Sequence, residues 1–179
     1  MQTWIALLRG INVGGATALK MKDLVKLLED LACQDVKTYI QSGNAAFRSK
    51  RRKATSLADE IRTEIESRHG FGPQVMLLTL EQLEKAIGAN PFPDAEGQPQ
   101  TLHLFFLSSV PPAADLDGME KVRTESERFE LIDQVLYLHT PEGFARSKLA
   151  KNAERCIGVP ITARNWRSMS KIVEMAQEL

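Results

Sequence analysis

Apolar positions change rhythm along the chain in a way that predicts alternating strands and helices. Residues 4–8 are an unbroken apolar run of strand length, whereas Leu24, Leu27, Leu28 and Leu31 recur at helical spacing through about residue 32. Two short strands are expected at 36–40 and 45–47, joined by Gln41, Ser42, Gly43 and Asn44, whose Gly-Asn pair signals a tight hairpin. Leu57, Ile61 and Ile65 mark a second helix that His69-Gly70 closes. Residues 74–78 read as another strand, and 80–87 as a further helix.

The second half repeats this order. A strand over 102–107 precedes a helix over 116–122, then a hairpin of 129–132 and 135–138 turned at Asp133-Gln134, a helix over 149–157, a short strand at 160–162 and a final helix from Trp166. Asn90-Pro91-Phe92-Pro93 and the polar run to Pro99 read as a linker. The expected class is therefore α/β of the α+β type: two ferredoxin-like βαββαβ units, each followed by an extra helix, at 1–93 and 100–179, in one compact body. Its rival is a single mixed sheet. In a ferredoxin-like unit, right-handed crossovers set the first and third strands side by side and antiparallel. The loop after residue 8 and the turn before residue 45 then share one sheet edge.

Composition narrows the function classes. The chain has 179 residues, 43% hydrophobic and 26% charged, with 23 basic and 23 acidic side chains in balance. No global field draws it to nucleic acid or to an anionic membrane, so any such contact must be local. Apolar runs are too short for a bilayer span and the N-terminus lacks a signal-peptide pattern, so no membrane role and a cytoplasmic location are expected. Cys33 and Cys156 lack a partner at ligand spacing and read as reduced, half-buried thiols.

Two polar interruptions of the apolar pattern are the candidate chemistry. Arg9-Gly10-Ile11-Asn12-Val13-Gly14-Gly15 and Gln41-Ser42-Gly43-Asn44 combine glycines, which permit close backbone approach, with directed donors suited to a polar or anionic guest. Gly10 to Thr17 has P-loop glycine spacing but carries Ala16 in place of the phosphate-bridging lysine, and Asn12 stands where a dinucleotide fingerprint needs glycine. The competing reading is a crossover bend in which Asn12 caps its own backbone, with Gly43 and Asn44 serving only the turn. Arg9 either pairs with Asp23 or Asp35 or receives an anion. Arg164-Asn165-Trp166 reads as a helix start capped by Asn165, or as an anion seat to which Lys148 and Lys151 add charge.

These strings, together with Lys37-Thr38-Tyr39-Ile40 before the turn, resemble the bacterial domain of unknown function 1697 family. The resemblance spans nearly the whole chain. It implies a doubled ferredoxin-like arrangement and no established activity. As motif residues it implies Arg9, Asn12, Gly14, Gly15, Gln41, Ser42, Gly43, Asn44, Arg164, Asn165 and Trp166, with Ser147-Lys148-Leu149 as a fourth motif. Ala16-Thr17-Ala18 departs from the basic or polar residue that follows the double glycine in the family, so no phosphate contact is expected there.

No reaction or cofactor is assigned. His69, His103 and His139 are scattered, Ser42 lacks a nucleophile-elbow context, and no cluster has metal-ligand spacing. The leading expectation is a small anionic or polar ligand held by Arg9, Asn12, Gly14, Gly15, Gln41, Ser42, Asn44, Arg164 and Asn165. The alternatives are nucleic-acid binding through the basic run Arg48-Ser49-Lys50-Arg51-Arg52-Lys53, or a protein-interaction scaffold.

Overall fold

A computed structural model describes residues 1–179. The first half forms β1 (Gln2–Arg9), α1 (Met21–Asp30), β2 (Gln34–Tyr39), β3 (Asn44–Ser49), α2 (Ala54–His69), β4 (Gln74–Thr79) and α3 (Leu80–Gly88). The second half forms β5 (Leu102–Leu107), α4 (Leu116–Val122), β6 (Arg128–Ile132), β7 (Val135–His139), α5 (Lys148–Ile157), β8 (Ile161–Asn165) and α6 (Trp166–Gln177). The strands make two four-stranded antiparallel sheets, ordered β2-β3-β1-β4 and β6-β7-β5-β8. This is an α+β fold of two similar ferredoxin-like units, and the single mixed sheet is excluded. Contacts group Met1–Lys85 with Ser170–Leu179, and Ala86–Met169 separately. No helix is long and apolar enough to cross a membrane.

In the first unit the most apolar strand takes a central place. Trp4 to Leu8 of β1 are all buried between β3 and β4, while the polar β2 lies at the edge. Trp4, Ala6 and Leu8 share one face by the two-residue period and pack with Leu24, Leu27 and Leu28 of α1 and Leu57, Ile61 and Ile65 of α2. Each such buried leucine or isoleucine contributes about 1.5–3 kcal/mol. Gly70 ends α2 in the left-handed conformation at φ 79°, returning its N–H to the Glu66 carbonyl. The edge strand is blunted by charge: Lys37 meets Glu178 at 2.9 Å and Arg48 meets Asp35 at 3.3 Å.

The second unit follows the same plan. All six residues of β5 are buried, and Phe105 and Leu107 pack with Met119 of α4 and Leu149, Ala153 and Ile157 of α5. Asp115 caps α4 and Ser147 caps α5, accepting from Gly118 N at 2.8 Å and Ala150 N at 2.9 Å. The 90–99 stretch is fastened rather than a free linker. Its Phe92 and Ala95 are buried, and Arg128 grips Asp94 through two contacts of 3.2 and 2.7 Å while lying 4.6 Å over the Phe92 ring. A bidentate pair and an aromatic face are what an arginine satisfies best, and periodicity alone could not show it. Strand β8 also runs further than the expected 160–162. Both cysteines are free and buried rather than half-buried, and burial pushes the Cys33 thiol pKa up.

His103 is buried near the start of β5, stacked at 4.0 Å on Phe144, with its Nδ1 unpaired. Burial lowers its pKa from 6.5 to about 4. The unfolded chain therefore binds a proton that the folded one refuses as pH falls from about 6.5 towards 4. Stability is complete above that window and declines through it. Between pH 7 and 5 the protein should lose about 2 kcal/mol in denaturant titrations through His103, and His103→Phe should lose clearly less over the same range, the remainder coming from His139, whose pKa burial also lowers. Equal stability of the unsubstituted protein at pH 7 and 5 would contradict this.

Candidate functional site

The antiparallel pairing of β1 with β3 decides where the two glycine motifs lie. Leu7 pairs with Asn44, so the chain leaving β1 meets the turn that feeds β3. Leu8 N donates to Gly43 O at 2.8 Å. Gly43 has φ 75°, and a methyl group there would come within 2.7 Å of both Leu8 Cβ and Ile11 Cδ1. Glycine is required here for conformation and for space together.

Asn12 joins loop to turn. At φ 55° its amide Nδ2 donates to Gln41 O at 2.6 Å and Leu19 O at 2.9 Å, while its Oδ1 accepts from Leu19 N at 2.8 Å. Both amide protons are spent inside the protein. Thr17 completes the ring: its carbonyl accepts from Asn12 N at 2.8 Å and its hydroxyl donates to Val13 O at 3.0 Å. Gly14 and Gly15, at φ 71° and 80°, stand without side chains at an exposed tip with open space around them. Buried Leu19 anchors the return of the loop to α1.

Asn44 is fully buried. Its Nδ2 donates to Tyr39 O at 3.2 Å and Ser42 Oγ at 2.8 Å, which folds the turn on itself. Gln41 contributes its carbonyl to the lock and keeps an exposed side chain. Arg9 is exposed at the end of β1, its Nη1 3.5 Å from Gln74 Oε1. Of its two expected carboxylate partners, Asp35 is held by Arg48. Asn12 thus ties the loop to the turn at Gln41 and Asn44 folds the turn onto Ser42, while Arg9 reaches Gln74 and Gly14 and Gly15 stand at the open tip of the loop. Sequence patterning missed Val13 and Ile40, large apolar residues 71% and 52% exposed on the loop and the turn.

Arg164 and Asn165 belong to the second unit. Asn165 Oδ1 accepts from Ser168 N at 2.9 Å, capping α6 as its position suggests. Arg164 lies on β8 opposite Leu104 and donates to Ala163 O at 2.8 Å. Burial lowers its pKa to about 10, so it stays cationic at neutral pH.

The basic run is partly neutralised by the first unit itself. Arg51 pairs with Glu60 at 2.9 Å and donates to Leu31 O at 2.8 Å, and its own carbonyl accepts from Trp4 Nε1 at 3.0 Å. Arg48 is a strand residue paired with Asp35, leaving Lys50, Arg52 and Lys53 as exposed cations. No group of three metal-ligating side chains converges anywhere in the chain.

A family model described as protein of unknown function (DUF1697) matches residues 1–137, and the chain belongs to that family. A solved structure titled as a conserved bacterial protein from Streptococcus pneumoniae is 24% identical, covers 99% of both chains and superposes with a TM-score of 0.75. That likeness shows the fold. No curated protein matches the chain.

The lock makes a graded prediction for chemical denaturation. Asn12→Ala leaves the backbone groups of buried Leu19 unpaired and should cost about 2–3 kcal/mol. Gly43→Ala combines left-handed strain with overpacking and should cost about 3 kcal/mol. Gln41→Ala should stay within about 0.5 kcal/mol, because the carbonyl rather than the side chain does the holding. A neutral Asn12→Ala would show that the loop is not held by its amide.

Proposed function

We propose that this DUF1697 protein binds a small anionic or polar molecule at the edge formed by the 9–15 loop and the 41–44 turn. The reading rests on one observation: the 2.6 Å hydrogen bond from Asn12 to Gln41 O, which holds a glycine-tipped loop rigidly against a turn while the tip stays exposed. A bend needed only for connection has no use for two successive left-handed glycines at an open tip. In this reading Arg9 supplies the charge, and the Gly14–Gly15 backbone supplies a surface that a ligand can approach closely. Asn12, Ser42 and Asn44 position that surface, and the Gln41 side chain is free to contact the guest. Arg164 and Asn165 make a second candidate contact of their own unit.

A protein-contact surface is a second reading, favoured by the exposure of Val13 and Ile40 on the same two segments. Nucleic-acid binding through the 48–53 run is the weaker alternative, since Arg48 and Arg51 are already paired.

A thermal-shift screen of nucleotides, sugar phosphates and carboxylates separates these readings. A ligand at a hundred times its Kd stabilises the fold by about 2.7 kcal/mol, a rise in Tm of roughly 5 to 10 °C at this size. The shift should vanish in Arg9→Ala, which leaves the lock intact, and in Gly15→Ala, which strains the left-handed tip that the ligand approaches, and persist in Val13→Ser with Ile40→Ser. A shift surviving the first two variants puts the ligand elsewhere. Absence of any shift across the screen favours the protein-contact surface.

A further inference from the structure

Charge in the second unit is strongly segregated although the whole chain is neutral. Residues 86–142 hold ten acidic and three basic side chains, whereas residues 143–169 hold six basic and one acidic. Four of those six stand together. Arg146 precedes α5, and Lys148, Lys151 and Arg155 follow at intervals of three and four residues, which puts the three on one face of the helix. The opposite face, Leu149, Ala153, Cys156 and Ile157, is buried in the core, so the cationic face points to solvent, and all four cations are exposed. None of them forms an ion pair, in contrast to Arg123, Arg128, Arg48, Arg51 and Arg68, each of which meets a carboxylate. Arg155 makes one side-chain contact, to the neutral Asn152 at 2.8 Å.

We propose that this face of α5 docks on the sugar-phosphate backbone of a double-stranded nucleic acid, without reading its sequence. Four like charges held together repel one another, and a dense anion relieves that repulsion. The surroundings favour nucleic acid over an acidic protein, because a protein interface needs an apolar centre. α5 itself exposes no large apolar residue, and the exposed apolar residues of this unit are Val110 and Leu116, the latter on the neighbouring α4. They favour a duplex over a single strand, because no aromatic ring is among them to stack a splayed base. From Lys148 to Arg155 the helix advances about 10 Å, and a duplex offers a phosphate every ~1.7 Å of its axis, so all three side chains find partners at once. The proposal concerns the second unit alone and does not depend on a ligand at the loop edge of the first.

The test is a fluorescence-anisotropy titration of a labelled 24-base-pair duplex of mixed sequence with the whole protein, from about 25 to 200 mM salt. Binding should weaken with a log–log slope of about −3 to −4 for three to four phosphate contacts. Replacing Lys148, Lys151 and Arg155 together by Gln should reduce affinity at the lowest salt at least tenfold and bring the slope to about −1, with an unchanged melting temperature. Lys50, Arg52 and Lys53 replaced together by Gln serve as the control and should bind as the unsubstituted protein does. No binding at the lowest salt, an undiminished affinity in the α5 variant, or a polyglutamate chain competing as well as unlabelled duplex would each overturn the proposal.

Discussion

The close approach of backbone at Gly43 to Leu8 and Ile11 is the constraint from which the candidate site follows. It arises because β1 and β3 are antiparallel neighbours, so the end of one strand and the start of the other occupy the same sheet edge. At that edge a side chain as small as a methyl group has no room. Removing it lets the chain after β1 fold down onto the turn, and Asn12 then fastens the contact with three hydrogen bonds. A long loop held this way loses its conformational freedom at folding rather than at binding, which is the condition under which a weakly contacting ligand can be retained. Asn44, buried beneath, keeps the turn compact without reaching solvent.

Much of the fold was legible because its two signals agree. The apolar run of β1 and the helical spacing of Leu24, Leu27 and Leu28 each have one solution, and the βαββαβ order with right-handed crossovers admits few sheets. The convergence of the two glycine motifs followed from that topology alone. What pattern could not give was the division of labour among polar residues. Asn12 and Asn44 read equally well as ligand contacts or as frame. Only in the folded chain is it evident that the amide of Asn12 is committed to Leu19 and Gln41, and that Asn44 lies fully buried within its turn. Arg48 and Arg51 likewise belonged to a run of cations until Asp35 and Glu60 came beside them from distant positions. The fastening of 90–99 to β6 depends on Arg128 reaching back to Asp94, a contact with no periodicity to announce it.

Electrostatics organises the two units differently. In the first, cations and carboxylates are interleaved, and its ion pairs, such as Arg68 with Asp30 at 2.7 Å, bind helix to helix at modest gain. In the second, acidic and basic residues are sorted along the chain, leaving α5 with an unneutralised face. A net charge of zero therefore conceals a local basic face, and whole-chain charge is a poor guide to what local surfaces attract.

Native-state hydrogen exchange at the Leu19 amide reports directly on whether the loop is locked, since its acceptor is the Asn12 side chain rather than any ladder or helix. This amide, close after a glycine-rich loop, should exchange slowly, on the scale of the β1–β3 ladder amides. In Asn12→Ala it should become fast while the ladder amides of Trp4 to Leu7 remain protected. Exchange of Leu19 at the rate of an unstructured peptide in the unsubstituted protein would mean that the loop is not held in advance of any ligand.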